Sequence, residues 1–197
     1  ELPKPPPRYS ALLLKQLGTP FYSISALTLG YAIAGKTALA TIRKHTAQYP
    51  KEDVDAITVI WIQRLLARYA FDGDLAEGVR KEASRYPYRP TQPMDGLSKL
   101  QQEFLEDKGI DVKQLVEVFS NALCQKKDGS IFLNPSRLVL KSALDEEWVQ
   151  CEKCRTVSPA LLLGNCPNCT QAGAALVSPE KTSYLRARKG FWRDPVA

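Results

Sequence analysis

A mainly α fold with a small amount of β structure is predicted by three features of the sequence. The first is a long amphipathic helix in the first half of the chain. The second is a later run of two helices and two short strands, and the third is a group of four cysteines near the C-terminal end. The chain has 197 residues, of which 44% are hydrophobic, so it can bury a sizeable core.

The clearest predicted helix covers residues 51–71, KEDVDAITVIWIQRLLARYAF. Acidic residues lie in its first turn and Arg64 and Arg68 near its end, which is the charge order that the helix dipole favours. Its apolar residues recur at helical spacing. Residues 1–9 hold four prolines and are expected to form an extended linker, and residues 71–96 a long loop with one short helix over 74–84.

Two further helices are predicted over residues 97–107 and 112–126, with Asp111 as the N-cap of the second. A strand at 130–133, a turn and a strand at 138–144 follow, and we expect these two strands to form a hairpin. Helix, turn, helix and hairpin are the order of a winged helix, in which wing residues such as Arg137 and Lys141 contact phosphate. Because many helical domains end in a hairpin, a domain without nucleic-acid contact stays an alternative.

The most specific motif is C-x2-C-x11-C-x2-C. Two-residue spacing presents two sulfurs from one tight turn, and two such pairs supply four thiolates for a closed tetrahedral Zn²⁺ site. Disulfides are disfavoured in a chain without a secretion signal, and an iron–sulfur centre stays an alternative. The pattern predicts a zinc ribbon with a structural ion, held by Cys151, Cys154, Cys166 and Cys169.

Catalytic residues are not predicted anywhere in the chain. The fifth cysteine, Cys124, falls on the apolar side of its predicted helix, which indicates a buried structural thiol. His45 is the only histidine, and a lone histidine is more often a surface or core residue than a base, so no nucleophile with a histidine base is predicted. The region is therefore expected to bind rather than to catalyse.

The stretch GYAIAGKT, residues 30–37, matches the pattern of a phosphate-binding loop. In such a loop Gly35, Lys36 and Thr37 would contact phosphate oxygens and Mg²⁺. No later apolar run ends in a carboxylate that could hold Mg²⁺, and the β-branched Ile33 suits a wrapped loop poorly. A strand over 21–29 and a helix from residue 37 would meet part of the context that such a loop needs. We nevertheless expect an apolar helix or hairpin here and keep a nucleotide site as the alternative.

The charge of +6 is concentrated at the two ends of the chain. Such asymmetry favours a polyanion partner, in the first place nucleic acid, although lysine and arginine also solvate ordinary surfaces. In the tail, basic residues alternate with Tyr184, Phe191 and Trp192, a mixture suited to phosphate contact and base stacking or to anchoring on a neighbouring domain. The basic residues selected for nucleic-acid contact are Arg137, Lys141, Arg155, Arg186, Arg188, Lys189 and Arg193.

The chain has no run of eighteen apolar residues and no apolar signal segment at its start, so we expect a cytoplasmic protein without a membrane partner. Both ends look cut from a longer chain. The expected partners are therefore nucleic acid, in the first place DNA, and the remaining domains of a larger parent.

Four stretches of the second half resemble a region of large bacterial superfamily-2 DNA helicases, in particular those of anti-phage defence systems such as Druantia and DISARM. They are LNPSRLVL (133–140), W-x2-C-x2-C (148–154), CPNC (166–169) and ARKGFWRDPV (187–196). The resemblance implies a winged helix and a zinc ribbon beside motor lobes, with ATP hydrolysis elsewhere in the parent. The chain contains neither a DEAD/DEAH motif nor an arginine-rich helicase motif.

The resulting prediction is a non-catalytic, zinc-stabilised binding or docking region of a larger DNA-processing protein. Two alternatives remain: a nucleotide-binding protein that uses residues 30–37, and a transcription-factor-like winged helix and ribbon that docks on RNA polymerase. The predicted division is a linker (1–9), a helical domain (10–96), a winged-helix-like region (97–145), a zinc ribbon (146–178) and a basic aromatic tail (179–197).

Overall fold

The computed structural model describes residues 23–25, 28–70, 90–142 and 148–177. Within these ranges the helices predicted at 51–71, 97–107 and 112–126 are present with shorter bounds. The linker, the short helix predicted at 74–84 and the basic tail lie outside the described residues. The α-helices are α1 (Lys36–His45), α2 (Lys51–Ala67), α3 (Lys99–Asp107) and α4 (Val112–Leu123).

Strands in the described residues form three small antiparallel sheets. In the first, β1 (Gly30–Ala34) pairs with β4 (Leu138–Ser142); in the second, β2 (Cys124–Lys127) pairs with β3 (Ser130–Leu133). The third has β5 (Trp148–Cys151) between β6 (Val157–Ser158) and β7 (Ala174–Val177). Since 43% of the described residues are helical and 22% are in strands, the prediction of a mainly α fold was wrong and the fold is mixed α and β.

The hairpin predicted between residues 130–133 and 138–144 was also wrong. The strand at 130–133 pairs with β2, the strand that precedes it in the chain. The two are joined by a turn at Asp128 and Gly129, whose φ angles are +49° and +73°. Two successive residues at positive φ form the type I′ turn that suits the twist of a hairpin. Asn134 then caps a short 3₁₀ turn at Pro135–Arg137, which carries the chain away from β3 and into the pairing of β4 with β1.

One hydrophobic core joins the helices, the β2–β3 hairpin and the cysteine-containing segment. Trp61 of α2 is fully buried and packs edge-on against Phe119 of α4, with ring centroids 5.7 Å apart. Leu162, which lies between the two cysteine pairs, is also fully buried and belongs to the same cluster. The core and the β1–β4 pairing both cross the boundary predicted between residues 96 and 97, while the division into domains stays a prediction.

The strand predicted at 21–29 is displaced by several residues. Backbone hydrogen bonds from Thr28 to Ser25 and from Leu29 to Ile24 form a turn, and the strand begins at Gly30. Residues 31–34, the centre of GYAIAGKT, are therefore extended and paired with β4. A phosphate-binding loop must wrap its ligand at this point, so the octapeptide does not have that conformation.

Close backbone contacts account for both glycines of the octapeptide. A Cβ atom on Gly30 would lie 2.5 Å from the carbonyl oxygen of Lys141, and one on Gly35 would lie 3.0 Å from that of Arg137. The amide of Gly35 donates to the same Arg137 carbonyl. Both glycines are thus explained by the approach of β1 to β4 without a ligand.

Among the described residues, no helix combines the length and the apolar character that crossing a membrane requires.

Candidate metal centre

The four cysteines sit on two turns with the same backbone design. In the first turn the amide of Arg155 donates to the carbonyl of Cys151, and in the second the amide of Thr170 donates to that of Cys166. Arg155 and Thr170 both have positive φ, +62° and +54°. This repeated turn reverses the chain so that each pair of sulfurs faces the same point.

The distances between sulfurs match a single tetrahedral ion. The Sγ atoms of Cys151 and Cys169 are 3.7 Å apart, those of Cys154 and Cys166 are 3.6 Å apart, and all four lie within 4.8 Å of one another. Four thiolates about 2.3 Å from a central ion, as around zinc, would be separated by about 3.8 Å. The cysteines present therefore fit one metal ion.

Other chemistry for these cysteines fits less well. The sulfurs are much farther apart than the ~2.05 Å of a disulfide, and the five cysteines are all free. An iron–sulfur cluster places several atoms between its ligands and would hold the sulfurs farther apart. With four protein ligands the site is also closed, which is the arrangement of structural rather than catalytic metal sites.

Hydrogen bonds favour the thiolate form at two of the four positions. The pKa of Cys151 is lowered, chiefly by the backbone amide of Cys154 at 3.5 Å from its sulfur. At Cys154, desolvation opposes ionisation, but contacts from Thr156 and the side-chain amide of Asn168 outweigh it and lower the pKa to about 6. Burial raises the pKa of Cys166 to about 12. Because thiolates are the metal-binding form, these hydrogen bonds favour cation binding at the first pair of cysteines.

The metal-binding segment (148–177) is attached to the rest of the fold through Trp148, which packs edge-on against Tyr31 of β1, and at two points nearer the second cysteine pair. Leu162 fills part of the shared core, and its backbone pairs with that of Asn165 just before the second cysteine pair. The side chain of Gln101 in α3 donates to the carbonyl of Pro167, which lies between Cys166 and Cys169. The second pair of ligands is therefore supported by a helix outside the ribbon.

Three of the residues predicted to contact nucleic acid lie in the described part of the chain. The guanidinium of Arg137 donates to the carbonyls of Asn121 and Ala122 at the end of α4. The ammonium of Lys141 lies 5.5 Å from the ring centroid of Tyr31. Arg155 is exposed on the first cysteine turn. Arg186, Arg188, Lys189 and Arg193 lie outside the described residues.

The residues predicted for nucleotide contact lie at the start of α1. Gly35 is the N-cap of this helix, and Lys36 and Thr37 are exposed in its first turn. They line an open cleft of about 510 Å³, on whose other side Arg137 and Ser136 lie. Nucleotide binding at these residues stays a prediction.

Two groups of residues were missed from the sequence. Lys126 and Lys127 were assigned to the end of a helix and its following turn, yet they lie exposed at the tip of the β2–β3 hairpin. Gln101 was seen only as part of a helix, because a contact with Pro167 across the chain leaves no local pattern. The Asp-Gly dipeptide that forms the hairpin turn was the available signal for the two lysines.

The fold and the closed four-thiol site define a mixed α and β chain whose four clustered cysteines could hold one metal ion. No family model matches it, and no solved structure does so either. It is similar to Druantia protein DruE from Escherichia coli strain UMEA 4076-1, at 34% identity over 201 residues that include 97% of this chain. The similarity supports the predicted relationship to Druantia anti-phage defence. The chain spans about a tenth of that protein's length, 11%.

Proposed function

We propose that this chain is a zinc-stabilised, non-catalytic nucleic-acid-binding region of a larger Druantia-type defence protein. The observation that carries the proposal is the closed cluster of four thiols in a chain that corresponds to 11% of DruE. A closed site offers no open coordination position for a substrate. Catalysis, which the resemblance assigns to helicase motor lobes, would then be done elsewhere in the parent protein.

Zinc is the proposed ion because its chemistry matches the ligand set. Four thiolates in a tetrahedral arrangement are typical of structural zinc, and a reducing compartment such as the cytoplasm keeps the thiols available. The segment that carries them has short strands and cannot build a core of its own. The ion's role is therefore to stabilise the fold of this segment and to hold it against α3 and the shared core.

Two exposed groups of basic residues support nucleic acid as the partner. The hairpin tip carries Lys126 and Lys127, and the first cysteine turn carries Lys153 and Arg155. Within the described part of the chain, Lys126 is the one of these four that forms an ion pair, with Glu117 at 4.0 Å, which is the limit of such a contact. Arg137 and Lys141 are partly occupied by contacts within the chain, so we expect them to contribute less than the hairpin lysines.

Metal content is the first test of the proposal. Protein purified without chelators should contain one zinc per chain, measured by elemental analysis. Cys166→Ser should lose the metal, whereas Cys124→Ser, a change at a cysteine outside the cluster, should keep it. Equal zinc content in both variants would refute the four-cysteine site.

Binding to a short DNA duplex over a series of salt concentrations is the second test. Each phosphate contact adds about −0.9 to the slope of log affinity against log salt, so the double variant Lys126→Ala/Lys127→Ala should weaken binding and reduce that slope by about two. Lys99→Ala is the matched control, because Lys99 is 90% exposed on α3. Binding that is absent or independent of salt would contradict a nucleic-acid partner and favour docking on another protein.

A further inference from the structure

Gln101 joins the cap of helix α3 to the second pair of metal ligands. Its side chain is only 6% exposed, although glutamine is usually a surface residue. Its amide is close to polar groups on two separate segments of the chain. When both the oxygen and the nitrogen of a buried side-chain amide form hydrogen bonds, the amide constrains its surroundings more than an exposed amide does.

The two ends of the amide perform different tasks. The oxygen accepts a hydrogen bond from the backbone amide of Ser98, and the Ser98 hydroxyl accepts one from the backbone amide of Gln101, which together form a capping box. The nitrogen donates to the carbonyl of Pro167 at 2.5 Å. The Ser98 amide can only donate and the Pro167 carbonyl can only accept, so the orientation of the Gln101 amide is fixed by its partners.

Pro167 lies inside the turn that presents Cys166 and Cys169. It is buried, and its ring removes one backbone donor from this turn. The backbone amides of Thr170 and Asn168 shape this turn by donating to the carbonyl and the sulfur of Cys166, so Gln101 can hold the Pro167 carbonyl without disturbing those hydrogen bonds. The neighbouring Asn168 approaches the sulfur of Cys154 with its side-chain amide at 3.7 Å, so a shift of this turn would also alter the first pair of ligands.

We propose that Gln101 is a positioning residue for the metal site, and that metal binding and the capping of α3 are coupled through its side chain. The inference rests on the metal-binding part of the proposed function and adds a residue outside the cysteine motif. Residues that orient metal ligands from outside the coordination sphere commonly change metal affinity by 10-fold to 100-fold when replaced. Coupling is reciprocal, so the metal also stabilises the cap of α3.

Gln101→Glu separates the two tasks. Glutamate at this position of a capping box can still accept from the Ser98 amide, but its carboxylate has no hydrogen to donate to Pro167. Gln101→Ala removes both interactions. Gln102→Ala is the matched control, because the side chain of the neighbouring Gln102 donates to carbonyls of Met94 and Leu97, away from the cysteines.

The experiment measures zinc affinity by competition with a chelator, using the 197-residue chain and its variants. Co²⁺ absorption serves as a check that four thiolates bind the ion. We expect about 10-fold weaker zinc binding for Gln101→Glu, with helix content preserved, and no change for Gln102→Ala. Hydrogen exchange provides a second readout: zinc should slow exchange of the Gln101 amide in the wild type and have a smaller effect in Gln101→Glu.

The outcomes separate this inference from the proposed function. Tight zinc binding by the wild type with the same affinity in Gln101→Glu would overturn the positioning role and leave the metal site intact. Equal losses in Gln101→Glu and Gln102→Ala would overturn it as well, because a general loss of stability would then explain both. Failure of the wild type to bind zinc or Co²⁺ through four thiolates would overturn both proposals.

Discussion

The α-carbon of Gly96 rests against the indole ring of Trp61. A Cβ atom at residue 96 would lie 2.2 Å from both Cδ1 and Nε1 of that ring, well inside van der Waals contact. The indole N–H also donates to the carbonyl of Pro93 at 2.8 Å, so the ring is held in place while the 3₁₀ turn at Pro93–Gly96 crosses it. Only glycine fits at this crossing.

Gly96→Ala is therefore expected to destabilise the fold by about 3 kcal/mol, the upper end of the usual cost of overpacking a core. Gly109→Ala is the comparison: Gly109 has φ +79° and open space around its α-carbon, so only backbone strain of about 1 kcal/mol is expected. Urea unfolding measures both. Equal losses in the two variants would contradict a steric role for Trp61.

The octapeptide at residues 30–37 gives a second prediction, in which its glycine and its lysine behave differently. Gly30→Ala should cost about 2 kcal/mol, because the new methyl group meets the Lys141 carbonyl of β4. Lys36→Ala should change the free energy of unfolding by less than about 0.5 kcal/mol, because the side chain is exposed. Calorimetry with ATP and Mg²⁺ completes the test: heat that is lost in Lys36→Ala would restore the nucleotide-site interpretation.

The position of Leu162 predicts that the metal-binding segment stabilises the helices. Leu162→Ala removes a fully buried side chain from the shared core and should cost 2–5 kcal/mol, as large-to-small core changes do. Leu161 beside it is only half-buried, so Leu161→Ala should cost less. Unfolding is followed by circular dichroism at saturating zinc. If the helices of Leu162→Ala unfold under the same conditions as those of the wild type, the helices and the metal-binding segment unfold independently.

Cys124 should be chemically inert in the folded protein. Burial raises the pKa of its thiol to about 12, with a smaller opposing effect of Arg137, and the thiolate is the reactive form. Iodoacetamide at pH 8 should therefore modify Cys154 of the metal-free protein, whose pKa is lowered to about 6, and Cys124 only after unfolding. Mass spectrometry distinguishes the sites, and alkylation of Cys124 at the same rate as Cys154 would contradict its burial.

The same pKa gives a pH dependence with a definite sign. In the unfolded chain the thiol of Cys124 ionises near its ordinary pKa of 9.0, below its folded value of about 12. Its contribution to stability is thus complete below pH 9 and is lost as the pH rises from 9 to 12. The wild type should lose more stability over this interval than Cys124→Ala does. Parallel curves for the two proteins would rule out this contribution.

Local signals predicted the helices better than the sheets. The cap at Asp111 is confirmed by its side chain, which accepts from the amide of Gln114 at 2.9 Å, and α2 and α3 begin within two residues of their predicted starts. The end of α4 was placed three residues late, because Cys124 continues its apolar period and the polar strand β2 has no pattern of its own. Because of that error the predicted hairpin was placed around the turn at residues 134–137, whereas the observed hairpin turns at the Asp-Gly dipeptide.

The metal site was predictable because its ligands come in two short motifs that carry their own geometry. Cys151, Cys154, Cys166 and Cys169 meet as expected. What the sequence could not provide was the support around them: the contact of Gln101 with Pro167 and the burial of Leu162 depend on segments far apart in the chain. The pairing of β1 with β4 was missed for the same reason.

The β1–β4 sheet also has a consequence for how the chain is made. Gly30 pairs with Ser142, so β1 leaves the ribosome long before its partner strand exists. Synthesis of the intervening residues takes on the order of ten seconds at bacterial rates. During that delay an apolar strand has an open edge, which is the kind of surface on which strands of neighbouring chains pair wrongly. In the folded protein α2 packs against β1, and its Gln63 donates to the Ala32 carbonyl. The strand β1 is therefore shielded during synthesis only after α2 has formed and packed against it.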